Sequence, residues 1–254
     1  MKTRDDVKRD LTAALIGMPG VLAAWEGGSA ATGFLDGYSD LDLEVICEDD
    51  QVEAVMTSVR QTLLTNYGIL REYRLPEPAW HGFSQCFYTI GNVPPLYYID
   101  FCAIKRSIPD KFMESDRHGH AVVWFEKEPI LNEKPTPAAE MRAKGVKFYH
   151  NATQTDFLMI LETRKGIARN NFAEAFGPYY SFLNRNLGVL FNLKYRPVKV
   201  DFGLRYGYRD YDADDFALVE TALKVASVAE MAEVFDRLIA RYEFLKTELA
   251  DIWS

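Results

Sequence analysis

The chain has 254 residues, 48% hydrophobic and 26% charged, which is enough for one or two soluble globular domains with a sizeable core. Its net charge of -8 supplies no attractive long-range field for nucleic acid or for an anionic membrane surface, and this argues against both as bulk partners. Cys47, Cys86 and Cys102 are odd in number, widely spaced and set in apolar surroundings, the pattern of free thiols in a reducing, cytoplasmic compartment.

In chain order, residues 4–18 predict an amphipathic helix with Val7, Leu11, Leu15 and Met18 on one stripe, closed by Pro19-Gly20. Asp5, Asp6 and Asp10 interrupt any signal-peptide character there, and the run is too short to span a bilayer. Residues 21–25 read as a strand that breaks at Gly27-Gly28-Ser29, followed by small residues able to start a helix and by a second strand over 41–47. Glu48-Asp49-Asp50 then opens a helix to about Asn66, and a strand is predicted over 69–74. The aromatic runs 83–90 and 96–105 flank Gly91-Asn92 as a hairpin, and 121–125 is a last strand before Pro129, Pro135 and Pro137, where the first domain should end. Beyond lie helical segments near 138–150, 153–170, 174–194 and 214–249, the last with a break near Ser227, and an irregular stretch over 195–210. Charge is uneven: residues 1–135 hold 13 Lys and Arg against 21 Asp and Glu, and residues 142–209 hold 12 against 4. That asymmetry fits a triphosphate lodged between an acidic and a basic half, although most single Lys and Arg are solvated helix faces.

Asp40 and Asp42 stand at the mouth of the second strand, and side chains two apart on a strand share a face. Two carboxylates so placed raise each other's pKa unless they share a proton or a cation, and magnesium suits one or two carboxylates completed by phosphate oxygens. Gly28 lets backbone N–H groups approach a phosphate, and Ser29 lies where a helix N-terminus would favour an anion. Asp100, isolated in the aromatic strand 96–105, shares its face with Tyr98 and Cys102 and reaches Asp40 and Asp42 if its strand pairs beside theirs.

Gly28-Ser29, ten intervening residues, then Asp40-Leu41-Asp42 and an apolar strand resembles the signature of the nucleotidyltransferase superfamily typified by DNA polymerase beta. Within it the chain looks most like the small bacterial aminoglycoside and lincosamide nucleotidyltransferases, over about its first half. The resemblance implies an α/β (α+β) nucleotidyltransferase domain with a mixed β-sheet over 1–135, followed by an all-α helical bundle domain over 136–254 that forms the other wall of a cleft. It further implies that Gly28 and Ser29 hold the β/γ-phosphates of ATP and that Asp40 and Asp42 bind two Mg²⁺. Asp100 would ligate the second ion and help to deprotonate an acceptor hydroxyl, while AMP is transferred and pyrophosphate released. Basic residues of the helical half such as Lys144, Lys147 or Arg185 should contact the triphosphate, the family pattern not fixing which, and a homodimer is one expected state.

Several other readings compete. Asp100 can instead form a salt bridge to Lys105 or Arg106. His118-Gly119-His120 lacks further ligands at zinc spacing, and His81 and His150 are isolated. No P-loop and no Gly-x-Ser-x-Gly elbow is present. The run Arg205-Tyr206-Gly207-Tyr208-Arg209 can stack a base or pack at a core edge. A regulatory, antitoxin-like nucleotidyltransferase that binds a partner protein, and an enzyme that extends nucleic-acid ends, are the two other functional classes; the acidic balance opposes the second.

Overall fold

Thr3 starts the fold. In the computed structural model, which describes residues 1–254, its hydroxyl accepts the Asp6 N–H and the Asp6 carboxylate takes the Thr3 N–H, a reciprocal cap at the head of helix α1 (Arg4–Ile16). Helix α1 buries Val7, Leu11 and Leu15, the stripe set by helical spacing. The chain divides into two units, Met1–Pro135 and Thr136–Ser254.

The first unit is a six-stranded mixed sheet with helices. After α1 come β1 (Val21–Glu26), the single turn α2 (Gly28–Ala31), β2 (Leu41–Cys47), α3 (Val52–Asn66), β3 (Ile69–Arg74), β4 (Ser84–Ile90), β5 (Ile99–Lys105), the short α4 (Ser115–His118) and β6 (Val122–Glu126). Their order across the sheet is β3-β4-β5-β2-β1-β6. Every neighbouring pair is antiparallel except β2 and β5, which run parallel because α3 and the β3–β4 pair intervene between them in sequence.

The pleat sorts the two central strands into two faces. Leu41, Leu43, Val45, Ile99, Phe101 and Ala103 join α1 and α3 in one core, and each fully buried Leu or Phe there is worth roughly 1.5–3 kcal/mol. Ile46, Cys102 and Ile104 point the other way, into a smaller cluster with Leu22, Trp25, Phe83 and Met113. That cluster covers only the distal part of the second face. Asp40, Asp42 and Asp100, at the N-terminal ends of β2 and β5, are half-buried beside it.

The second unit is helical: α5 (Ala138–Ala168), α6 (Phe172–Ser181), α7 (Gly188–Tyr195), the short α8 (Gly207–Asp210), α9 (Ala213–Leu223) and α10 (Val228–Trp253). The two helices expected near 138–150 and 153–170 are one. No Gly or Pro interrupts the joint, and the Thr153 and Thr155 hydroxyls donate back to the carbonyls of Tyr149 and Asn151 at 2.9 and 2.8 Å. The expected run 174–194 is interrupted instead by a π-helical stretch, Phe182–Leu187, a few residues after Pro178. Ser227 caps α10, which accounts for the break expected there.

Helices α5 and α6 meet at Gly166, where an added Cβ would lie 2.6 Å from the backbone N and Cα of Ala175. Backbone cannot give way as a flexible side chain can. Gly166→Ala should therefore cost about 1–3 kcal/mol of stability, read as a lower denaturant midpoint.

Candidate functional site

The register of β2 against β5 places Asp42 directly opposite Asp100. Facing residues of a ladder share a face, so the two carboxylates project together from the side that α1 and α3 leave open. Asp40 and Glu44 flank Asp42 on that face of β2, and Tyr98 and Cys102 flank Asp100 on β5. The turn after β1 closes one end. The Gly27 N–H donates to the Asp42 carbonyl at 3.0 Å, and Gly28, at φ +53°, lies so near that a Cβ on it would fall 1.7 Å from Asp42 Oδ2. Ser29 Oγ is buried without a hydrogen-bond partner.

Helix α2 is a single turn, too short for the helix field expected behind Ser29. Attraction for an anion there would come from individual backbone N–H groups that the turn leaves unpaired.

The electrostatics are those of acids packed together. Burial, then the charges of Asp40 and Asp100, push the Asp42 carboxyl up to about 7, with Arg4 opposing. Burial, then Asp100 and Asp42, push Glu44 up to about 8, and Glu44 Oε2 is buried with no partner. Asp100 is raised by burial, against the hydrogen bond that Gln85 donates to it. Arg4, in the first turn of α1, donates to Glu26 and to the carbonyls of Ser39 and Asp40, tying the end of β1 to the approach to β2.

No three His, Cys, Asp or Glu side chains stand close enough together to hold a metal ion as they are. The donor chemistry nevertheless fits Mg²⁺. Carboxylate oxygens are its preferred protein ligands, and an ion held by one or two of them and completed by phosphate oxygens needs no closed protein cage. Asp42 and Glu44 are both raised by burial and then by neighbouring acids, and no positive group acts on Glu44 while the Arg4 charge leaves Asp42 still raised.

The salt-bridge alternative for Asp100 is not what the chain builds. Arg106 pairs with Glu48 at 2.7 Å and Glu128 at 2.8 Å, whereas Asp100 Oδ1 accepts from the Gln85 amide at 2.6 Å. The same row continues outward along the sheet: Phe87 faces Asp100, Tyr73 faces Phe87, and their rings stack with centroids 6.5 Å apart. In the second unit, Lys144 pairs with Asp201 at 2.8 Å, while Lys147 and Arg185 are exposed. The Tyr206 ring is faced by its own neighbours Arg205 and Arg209, whose guanidinium carbons are 5.1 and 4.1 Å from its centroid. His120 pairs with Glu133.

Sequence reading missed Glu44, Gln85 and Arg4. Glu44 continues the two-residue period of Asp40 and Asp42, a signal present in the sequence. Gln85 becomes legible only through the β4–β5 register, which sets it opposite Cys102, one pleat from Asp100.

No protein-family model matches the sequence, and no curated protein matches it. Among solved structures, the chain is similar to an aminoglycoside 6-adenyltransferase from Bacillus subtilis, with 12% identity, 96% of this chain and 89% of that chain covered, and a TM-score of 0.33. It is also similar to a nucleotidyltransferase-like protein from Exiguobacterium sibiricum 255-15, with 14% identity, coverage of 96% and 75%, and a TM-score of 0.38. Similarity this distant assigns no chemistry to the residues of the site. No helix is long and apolar enough to cross a membrane.

Proposed function

We propose that the protein is a nucleotidyltransferase that moves AMP from ATP to a hydroxyl of a small-molecule acceptor and releases pyrophosphate. The carrying observation is the in-register pairing of Asp42 with Asp100, with Asp40 on the same face and the Gly27-Gly28-Ser29 turn against it. On this reading the 1–135 unit is the catalytic domain. Asp40, Asp42 and Asp100 would hold two Mg²⁺. Bound there, the ions would neutralise the polyphosphate and favour in-line displacement at the α-phosphorus.

The protein's own groups do the rest. Gly28 and Ser29 seat the β/γ-phosphates, the unpartnered Ser29 hydroxyl donating to one of their oxygens. Asp100 accepts the acceptor's hydroxyl proton. The stacked Tyr73 and Phe87, next in the same row, offer a floor for an acceptor ring whose hydroxyl faces Asp100. Aminoglycosides and lincosamides are the first acceptors to test.

The test is label transfer from α-labelled ATP with Mg²⁺ to a panel of those antibiotics and of candidate protein partners. The Asp40→Asn/Asp42→Asn double variant should lose transfer while remaining folded. Binding of ATP with no transfer to any acceptor would replace this reading with the regulatory one.

A further inference from the structure

A chain of hydrogen bonds runs behind Asp100. The Phe83 N–H donates to His81 Nδ1 at 3.0 Å, so Nδ1 is an acceptor and the neutral ring carries its proton on Nε2. His81 Nε2 then donates to Gln85 Oε1 at 3.0 Å, which turns the Gln85 amide nitrogen toward Asp100 Oδ1, 2.6 Å away. One backbone N–H thereby fixes the tautomer, the tautomer fixes the amide, and the amide fixes the carboxylate. The His81 ring is itself held edge-on by Trp80 and tilted against Phe83, at centroid distances of 5.1 and 5.0 Å.

The choice of a neutral donor matters. Lys or Arg at position 85 would cancel the charge of Asp100; an amide orients the group and leaves it anionic. With Oδ1 committed to Gln85, Oδ2 is the oxygen left for an ion or a hydroxyl proton.

The geometry points to Gln85 and His81 as positioning residues for Asp100 in nucleotide transfer, acting through the carboxylate without touching substrate. This rests on the reading under Proposed function. Partners of this kind, one bond removed from a metal-binding or proton-accepting group, typically change affinity or rate by about 10–100-fold when removed.

The test uses the full chain with Gln85→Met, which keeps length without a hydrogen bond, His81→Phe, which keeps the ring contacts, and the double variant. Three measurements are made: AMP transfer, Mn²⁺ binding read by the electron paramagnetic resonance of free Mn²⁺, and thermal unfolding. Gln85→Met should lower kcat and weaken Mn²⁺ binding by about tenfold or more. His81→Phe should do the same to a smaller degree. The double variant should match Gln85→Met, since His81 acts only through Gln85. All three should unfold near the wild-type temperature.

Wild-type transfer and Mn²⁺ binding in Gln85→Met would overturn the inference, as would losses that multiply in the double variant. If the wild type binds Mn²⁺ but transfers nothing, the functional reading fails and the Mn²⁺ comparison alone decides this one. If it neither binds nor transfers, both fall.

Discussion

Asp42→Asn should end nucleotide transfer and at the same time stabilise the ligand-free protein at neutral and alkaline pH. The two effects share one cause. Asp42 is raised from 3.8 to about 7 by burial and by Asp40 and Asp100, so the folded state holds its proton across a range in which the unfolded chain has released it. Its contribution to stability is therefore fully present below about 3.8 and is lost as pH rises through about 7. Forcing the group to ionise costs on the order of 4 kcal/mol, and an amide, still a polar group in a half-buried site, recovers about half of that. In Tm this is roughly 4–8 °C at alkaline pH, shrinking to little in mild acid. Glu44, raised to about 8, adds a second loss in the same direction, which the variant lessens by removing the Asp42 charge and leaves otherwise in place, since burial and Asp100 remain. On the proposed function, turnover should fall ~10³-fold or more, equivalent to about 4 kcal/mol of transition-state stabilisation, because the amide could not supply the anionic ligand that Mg²⁺ would require. Thermal scans across pH, run beside the label-transfer assay, check both halves. A variant that is less stable at alkaline pH yet turns over normally would remove Asp42 from the site. Saturation with Mg²⁺ and ATP should flatten the wild-type pH profile, since bound cations supply the missing counter-charge.

What the sequence makes legible here is periodicity and punctuation. The two-residue alternation in 41–47 and 96–105 tells which side chains share a face, and Gly91-Asn92 with Pro94-Pro95 marks the hairpin that β4 and β5 form. Ser227, a capping residue before an apolar helical run, is readable in the same way. Long-range pairing is not. Asp100 stands opposite Asp42 only because the chain leaves β2 through α3, enters the sheet again at its far edge as β3 and returns through β4 to bring β5 beside β2, and no local pattern at 96–105 specifies that neighbour. Gln85 is silent for the same reason, acquiring its role from the β4–β5 register, and His81 acquires its own only through Gln85, four residues on. The split expected near residue 150 failed for another cause. Asn151, Thr153 and Thr155 read as weak helix formers, and in the folded chain the two threonine hydroxyls are absorbed by carbonyls one turn back. The four-residue α2 marks the limit in the opposite direction: a small-residue segment permits a helix without dictating its length.

Neighbouring glycines at the turn should respond to the same substitution in opposite ways, which tests the site without altering any charge. Gly27 has φ -96°, and a Cβ added to it would meet nothing nearer than Asp42 Cβ at 3.8 Å. Gly27→Ala should therefore fold and transfer nucleotide much as the wild type does. Gly28 has φ +53°, where an L side chain costs roughly 1–2 kcal/mol, and its Cβ would overlap Asp42 Oδ2 at 1.7 Å and Cγ at 2.5 Å. The carboxylate is a movable side chain, so Gly28→Ala need not unfold the unit. It must instead swing Asp42 out of the row with Asp100, or shift the turn that carries Ser29. Either movement displaces a group by more than the 1 Å that alone can cost about 10²-fold in rate, so turnover should fall by about 10²–10³-fold while Tm drops only a few degrees. Equal tolerance of alanine at both positions would mean that the turn and Asp42 do not act together on a substrate. The pair of variants thus separates a phosphate-seating turn from a plain reversal of the chain: both predict some lost stability at Gly28, but the plain reversal leaves activity per folded molecule unchanged and the seating turn loses it.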